Sequence, residues 1–202
     1  MKGIIKFILL LILLLCTQSL LVADIVVIKD SVKRYKLGLH VSYYTDKTGK
    51  LTINDVLAPE FKKRFIKSQK EIPDLGISTA TRWLHFSLYD QSYFHKKWLL
   101  LIELLFISNI EVYKVIPHTD NIEKVLTQQS LSKNKLHHRL QVFSLDTLKN
   151  KKIHYYIKVR VGGKSIFPIS IVESSHFNYS VQKEYIILGI YYGLIFVMIL
   201  YN

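Results

Sequence analysis

Residues 153–161 read Ile153-His154-Tyr155-Tyr156-Ile157-Lys158-Val159-Arg160-Val161. Apolar side chains occupy the odd positions, so His154, Tyr156, Lys158 and Arg160 share the opposite face of an extended strand. Such alternation is typical of an antiparallel sheet with one face on the core and the other in water. The segment therefore predicts a β-strand with a polar, solvent-facing side.

A second stretch, Trp83-Leu84-His85-Phe86-Ser87-Leu88, alternates in the same way. We expect its three apolar even positions to face the core, whereas Trp83, His85 and Ser87 face outward or into a groove. The two stretches together predict one sheet whose outer face carries aromatic and basic side chains.

Seven segments rich in β-branched and aromatic residues are predicted as strands. They are 25–28, 83–89, 98–103, 110–115, 140–145, 153–161 and 169–172. The few helical signals lie at 52–57 and 59–66, and they predict one short helix or a pair that starts at an Asn or Thr cap. Because strands and helices do not alternate, the sequence favours an all-β sandwich of jelly-roll type over an α/β fold.

The first 23 residues have the pattern of a secretory signal peptide. A basic start precedes the apolar run 7–15 and a polar exit, which is the order found in such leaders. A permanent anchor is the alternative, but the run is short for roughly 30 Å of hydrocarbon. Lipid attachment at Cys16 is a further alternative, although Leu15 is bulky for the residue before a lipidated cysteine.

The end of the chain is strongly apolar. No charged residue follows Glu184, and residues 185–202 are long enough, or nearly so, to span a bilayer, with tyrosines suited to its interface. A buried helix of a soluble domain is the alternative, but the run shows no amphipathic period. We predict a periplasmic domain at 24–180 and a first transmembrane helix at 184–202, in or just after which the sequence looks cut off.

Basic residues outnumber acidic ones, 28 to 15, giving a formal net charge of +13 with a mean hydropathy of +0.19. With half of its residues hydrophobic, the chain is neither collagen-like nor disordered. The basic residues are spread from Lys29 to Lys183 and the leader directs the domain out of the cytoplasm, so we expect no nucleic-acid partner. The only cysteine, Cys16, lies in the leader, so the mature domain is predicted to lack disulfides.

A series of short motifs occurs in an order that resembles one bacterial family. The motifs are Tyr43-Tyr44-Thr45-Asp46, 49–57, Phe65 with Ser68-Gln69, Gly76, 83–88, 98–100, Val112-Tyr113, His138-Arg139, 156–159, Phe167-Pro168 and 188–193. From about Lys36 to Asn202 the chain resembles the type 2 extracellular domain of bacterial seven-transmembrane receptors with diverse intracellular signalling modules (7TMR-DISM).

The resemblance implies a periplasmic sensor domain related to carbohydrate-binding modules and anchored in the bacterial inner membrane. It also implies seven helices and a cytoplasmic output such as a diguanylate cyclase or histidine kinase. The expected ligand is a small molecule, with a carbohydrate or an acidic sugar among the classes, and such receptors often act as homodimers. In the family arginine is usual where this chain has His85 and Lys158, and near Asn134. Since His and Lys lack the bidentate fork of Arg, an anion contact is less well supported there.

Seven residues are predicted to contact the ligand. An exposed tryptophan beside cationic side chains suits sugar binding, because the ring stacks on a pyranose while the donors bind hydroxyls or carboxylates. The predicted contacts are Trp83, His85, His138, Arg139, Tyr156, Lys158 and Arg160. The alternative is that Trp83 covers the core and the basic side chains form a solvated face.

No motif indicates a metal, a cofactor or a catalytic group. The adjacent pair His137-His138 would point to opposite faces of a strand, and no spacing of His and Cys fits zinc. No motif fixes the two acids that glycoside hydrolysis needs. We therefore predict a ligand-sensing receptor domain and not an enzyme. A membrane-tethered periplasmic module that binds a glycan or a protein without signalling is the alternative.

Overall fold

The computed structural model describes residues 25–103, 107–117, 119, 122–125 and 141–201. The predicted signal peptide at 1–23 lies outside these residues, as do Asn134 and two of the predicted ligand contacts, His138 and Arg139. The described residues form two stacked β-sheets, a short helical cover and one long C-terminal helix.

The two stretches that alternate most clearly are the central strands of the larger sheet. They form β6 (Thr81–Asp90) and β11 (Lys152–Val161), which pair antiparallel along almost their whole length. The other strands of this sheet are β1 (Ile25–Ile28), β3 (Ser42–Asp46), β4 (Ile66–Lys67), β8 (Ile107–Val115) and β9 (Ile122–Val125). The order is β4-β3-β6-β11-β8-β9, and β1 pairs in parallel with the second half of β6.

The smaller sheet has the order β10-β7-β13-β2. Its strands are β2 (Arg34–Lys36), β7 (Trp98–Ile102), β10 (Gln141–Leu145) and β13 (Ile169–Glu173). A separate two-stranded antiparallel sheet pairs β5 (Asp74–Ser78) with β12 (Gly163–Ile166). The chain switches repeatedly between the two sheets, and the predicted all-β sandwich is confirmed.

The main core lies between the sheets. Leu84, Phe86 and Leu88 of β6 are buried there, as the alternation predicts, and they share the core with Trp98 and Leu100 of β7. Burial of each such side chain stabilises the fold by about 1.5–3 kcal/mol. The odd positions of β11 face the same core, so the predicted inward face of both central strands is confirmed.

The outer face of the large sheet is covered over its middle, so the prediction of a wet side holds only towards Arg160, which is exposed. Two short helices, α1 (Ile53–Leu57) and α2 (Pro59–Lys62), bring Val56 and Phe61 onto this face. Beneath them Trp83 is 0% exposed and Tyr156 is 2% exposed. Alternation in a strand cannot distinguish water from an apolar cover, because both lie on the face opposite the core.

The predicted helical segment starts at a Thr cap. Thr52 and Asp55 form a capping box, in which the Asp55 carboxylate accepts a hydrogen bond from the Thr52 amide at 2.8 Å. The second helix begins with Pro59, whose missing amide proton costs nothing in the first turn. The prediction of one short helix or a pair at 52–66 is thus confirmed as a pair, except that the second helix ends at Lys62 and Ile66 belongs to β4.

A 28-residue helix, α3 (Ser174–Tyr201), follows β13 directly. It is long and apolar enough to cross a membrane, with a hydropathy of 1.8 over its most apolar window, and none of that window is buried in the protein. The helix begins before the predicted span at 184–202, and its first three turns are more polar than the rest.

The sandwich has two distinct ends. The ten residues of β6 cover about 30 Å, from Thr81, opposite Arg160, to Asp90. A seven-residue loop leads from Asp90 to Trp98, which pairs with Glu173, the last residue before α3. We name the end that holds Thr81 and Arg160 the distal end, and the end from which α3 departs the helix end.

Candidate functional site

A polar cleft lies at the distal end of the large sheet. It consists of two adjoining hollows of about 450 and 460 Å³ that share Gly49, Thr79, Thr81 and Arg160. Cations and hydroxyl groups dominate its lining, and none of the described lining residues is acidic or aromatic. The polar side chains of the lining are Thr45, Lys47, Thr48, Ser78, Thr79, Thr81, Arg82, Asn109, Lys158 and Arg160.

Arg160 lies at the centre of the cleft because of the strand register. It pairs with Thr81 of β6 on one side and with Asn109 of β8 on the other. Side chains directly opposite each other on an antiparallel pair share one face, so the three polar groups lie in a row. Arg160 is exposed and forms no ion pair with any residue that the structure describes.

The loop after β3 forms one wall of the cleft, and the buried carboxylate of Asp46 holds it in place. Asp46 Oδ1 accepts hydrogen bonds from the amides of Thr48 and Gly49, both at 2.9 Å, and Oδ2 accepts one from the Leu51 amide at 3.0 Å. Gly49 has a φ of 66°, a conformation that favours glycine. Burial alone would raise the pKa of Asp46, but the hydrogen bonds from Thr48, Leu51 and Gly49 outweigh it and lower this pKa. The wall is therefore fixed before any ligand arrives.

Lys158 is a second cation of the cleft, and its ammonium group is anchored. Its Nζ donates a hydrogen bond to the Leu51 carbonyl oxygen at 2.8 Å and lies 5.3 Å from the centre of the Trp83 ring. A cation over an indole face is attracted by the ring quadrupole. Lys158 therefore presents a positive charge at a defined position.

Arg82 contributes to the cleft from the inner side of the rim. Its guanidinium donates hydrogen bonds to Thr45 Oγ1 and, at 2.9 Å, to the Leu75 carbonyl oxygen. Burial lowers the pKa of Arg82 from its usual value. Because an arginine stays protonated at any physiological pH, the rim keeps this positive charge.

Of the other predicted contacts within the described residues, Trp83 and Tyr156 are buried below the helical cover and His85 is partly buried. The Trp83 ring stacks on Tyr113 at a centroid distance of 6.2 Å and is covered by Lys158, so the expectation of an exposed tryptophan is wrong. Tyr156 is equally inaccessible, and burial raises its pKa to about 12. The structure thus brings Lys158 and Arg160 together in the cleft, while Trp83, His85 and Tyr156 support the sheet behind it.

His85 belongs to a partly buried histidine cluster. Its Nε2 lies 3.0 Å from Nδ1 of His154, which lies 2.9 Å from Ser87 Oγ, and its ring stacks on Tyr156 at 4.5 Å. Burial and the charges of His154, Lys152 and Lys62 lower the pKa of His85 to about 3. Burial and the same two lysines lower the pKa of His154 to about 4. Both rings are therefore neutral at pH 7.

Several lining residues were missed by sequence reasoning. Arg82 occupies an inward position of β6, which alternation assigns to the core, but it lies at the very end of the strand and reaches the rim. The wall loop carries a usable signal, Asp46-Lys47-Thr48-Gly49, since Asp followed by Gly at this spacing is typical of a carboxylate-capped turn. Asn109 gave no signal because its role depends only on register.

The described residues contain no group of three or more His, Cys, Asp or Glu side chains that could hold a metal ion. The histidine cluster has two imidazole rings and a hydroxyl in hydrogen-bond contact with one another.

Comparison with known families gives one clear match. The family described as 7TMR-DISM extracellular 2 matches residues 38–173. The matched range ends at the last residue of β13, where α3 begins, and it covers more than half of the 202 residues. No curated protein matches the chain.

Proposed function

Because the chain belongs to the 7TMR-DISM extracellular 2 family, which forms the extracellular sensor part of a membrane receptor, we propose that it senses a small acidic, hydroxyl-rich molecule in the distal cleft. The proposal rests above all on the exposed Arg160 between Thr81 and Asn109. A guanidinium flanked by a hydroxyl and an amide matches a ligand that carries a carboxylate and hydroxyl groups.

The charge of the cleft supports an anionic ligand. Lys47, Lys158, Arg82 and Arg160 supply positive charge, and no described lining residue is acidic. Electrostatic attraction in a concave site raises both the rate of encounter and the affinity for anions. The fixed positions of Lys158 and the wall loop reduce the entropy lost on binding.

The lining favours an acidic sugar over a neutral one. Neutral sugars are commonly held by stacking on an exposed aromatic ring, and the ring at this place, Trp83, is buried. Hydroxyl groups from Thr79 and Thr81 suit a polyhydroxylated ligand. A sugar acid combines the two features that the cleft offers, and it requires neither a cofactor nor a catalytic step.

The ligand signal would have to cross about 30 Å of sandwich to reach α3. In our proposal the domain lies in the periplasm of a bacterium, and ligand binding shifts a two-state equilibrium of an inner-membrane receptor. This shift requires unequal affinity for the two states. Within this proposal the receptor is a homodimer whose cytoplasmic output is a diguanylate cyclase or histidine kinase. Family membership supports this scheme over a tethered binding module without signalling.

Isothermal titration calorimetry of the full chain in detergent with glucuronate and galacturonate tests the proposed ligand class. Arg160→Gln removes a charge-assisted contact worth about 1.5–3 kcal/mol, so we expect affinity to fall by roughly 10- to 100-fold. Arg34→Gln is the matched control, because Arg34 also has an exposed side chain but lies far away on β2.

Two results would contradict the proposal. Glucose binding as well as the two uronates would show that the ligand's charge is not recognised. Unchanged uronate affinity in Arg160→Gln would place the ligand outside the cleft.

A further inference from the structure

We propose that the helix end of the sandwich rests on the anionic lipid surface of the membrane that α3 enters. The contact is made by Tyr93 and Phe94 in the loop between β6 and β7, together with surrounding lysines. The proposal rests on α3 as a membrane helix and does not depend on the ligand of the distal cleft.

Two adjacent aromatic side chains protrude from this end. Tyr93 is 85% exposed and Phe94 is 71% exposed. Contiguous exposed apolar surface on a soluble domain marks interaction sites, membrane contacts among them. Tyrosine and phenylalanine suit the boundary between lipid headgroups and acyl chains, where an apolar ring and a polar tip can both be satisfied.

The loop holds these side chains out in a fixed conformation. The Asp30 carboxylate accepts hydrogen bonds from the Tyr93 amide at 2.7 Å and the Phe94 amide at 3.4 Å. Asp90 Oδ1 accepts a hydrogen bond from the Ser92 amide at 2.9 Å, and Ser92 Oγ donates one to the Phe94 carbonyl oxygen at 3.0 Å. The exposure of both rings is thus built into the structure of the loop.

The same loop is joined to the start of α3. The Ser174 amide, in the first residue of the helix, donates a hydrogen bond to the Lys97 carbonyl oxygen at 2.8 Å. Lys96 Nζ bridges the Asp30 carbonyl oxygen at 3.0 Å and the Glu173 carboxylate at 3.4 Å. The aromatic pair and the membrane helix therefore leave the sandwich from one connected structure.

Positive charge surrounds the aromatic pair. Seven lysines lie in the strand ends and loops of the helix end, namely Lys29, Lys33, Lys96, Lys97, Lys149, Lys151 and Lys152. Lys149 lies 5.8 Å from the centre of the Tyr93 ring. Four acids of the described residues lie at this end: Asp30 and Asp90 accept backbone hydrogen bonds, Glu173 pairs with Lys96, and Asp146 pairs with Lys114. A net positive surface with apolar protrusions is complementary to anionic headgroups.

The distances are compatible with lipid contact. The apolar part of α3 starts at Tyr185, eleven residues after Ser174, which places the hydrocarbon boundary about 16 Å along the helix. Headgroups fill roughly 5–7 Å of that distance, which leaves about 10 Å. The tip of a seven-residue loop reaches at most about 12 Å from its ends, and lysine and phenylalanine side chains extend further.

Quenching of tryptophan fluorescence by brominated lipid tests the contact. The full chain carrying Phe94→Trp is reconstituted in phosphatidylcholine vesicles with and without phosphatidylglycerol, each containing brominated phosphatidylcholine. The native Trp83 and Trp98 are buried and give a constant background. Ile77→Trp is the matched control, because Ile77 is 83% exposed but lies at the distal end. We expect about a twofold loss of the emission from position 94 in the anionic vesicles and no loss at position 77.

Charge reversal separates lipid contact from mere proximity. In the Phe94→Trp background, Lys97→Glu with Lys149→Glu should abolish the quenching, whereas Lys50→Glu with Lys164→Glu at the distal end should leave it unchanged. Equal quenching at positions 94 and 77 would overturn the proposal. Quenching at position 94 that does not depend on phosphatidylglycerol or on the two lysines would overturn the role of anionic lipid.

Discussion

The distal end and the helix end of the sandwich use the same local device for opposite purposes. At the distal end the buried carboxylate of Asp46 accepts backbone amides and fixes a loop that forms the wall of a concave, cationic cleft. At the helix end the carboxylates of Asp30 and Asp90 accept backbone amides and fix a loop that displays Tyr93 and Phe94 on a convex surface.

The carboxylate that fixes the loop does not determine what each end of the sandwich can bind. The side chains on neighbouring strands and loops determine it. Beside Asp46 the register of β6, β8 and β11 adds Thr81, Asn109 and Arg160. Beside Asp90, Lys96 of the same loop pairs with Glu173 at the end of β13. A carboxylate satisfied by amides provides rigidity at both ends, and the surrounding side chains determine whether the rigid surface suits a small anion or a lipid surface.

The largest expected effect tests whether both ends belong to one cooperative unit. Trp98→Ala in the main core near the helix end, and Trp83→Ala under the helical cover nearer the distal end, each remove a fully buried ring. Each should lower the free energy of unfolding by about 3–5 kcal/mol. Thermal unfolding followed by near-ultraviolet circular dichroism should show one transition at a lower temperature for both variants.

A cost below about 1 kcal/mol for Trp83→Ala, with normal unfolding of the main core, would contradict this expectation. The cover and the distal end would then be separable from the rest of the sandwich.

An intermediate effect is expected from pH, because the histidine cluster lies between the two ends. The folded pKa values of His85 and His154, about 3 and about 4, lie below the value of 6.5 for a free histidine. Between these values the unfolded chain binds more protons, so stability is complete above about pH 6.5 and is lost as the pH falls. By pH 4 we expect each histidine to contribute a loss of about 3 kcal/mol, seen as a falling unfolding midpoint.

His154→Gln should reduce this pH dependence. The matched control is His95→Gln, which changes an exposed histidine in the loop between β6 and β7. An unfolding midpoint that stays constant from pH 7 to pH 4 in the native chain would show that the cluster is open to solvent.

The smallest expected effect separates the ends by function. In Asp46→Asn and Asp90→Asn, an amide group replaces a carboxylate that accepts hydrogen bonds from backbone amides. Each substitution should lower the free energy of unfolding by about 1–3 kcal/mol. Asp46→Asn should weaken uronate binding and leave the lipid quenching at position 94 of the Phe94→Trp chain intact. Asp90→Asn should reduce the lipid quenching at position 94 and leave uronate binding intact.

Calorimetry and the brominated-lipid assay on both variants check this crossed pattern. Loss of both activities in either variant would mean that the two ends are not independent.

Much of the framework was predictable from local sequence. The seven predicted strands all occur in the structure, because period-two alternation and β-branched residues record burial on one face. The short strands β2, β4, β9 and β12 were not predicted, since none of them is an unbroken run of β-branched residues as the four-residue β1 is. The five-residue strands β3 and β5 were missed as well, because neither alternates between buried and exposed positions along its whole length. Lys158 and Arg160 were predicted from their shared face, and the cleft contains both.

The sequence by itself determined the inward faces of β6 and β11, the capped start of α1, the apolar helix that could span a membrane and the family of the chain. Each of these depends on residues close together in the chain or on their order. Only the tertiary structure decided which groups meet at each end. Arg82 reaches the cleft rim and Trp83 is buried because strands distant in sequence pair in one register and two short helices cover the sheet. Such contacts depend on long-range packing, which no local pattern encodes.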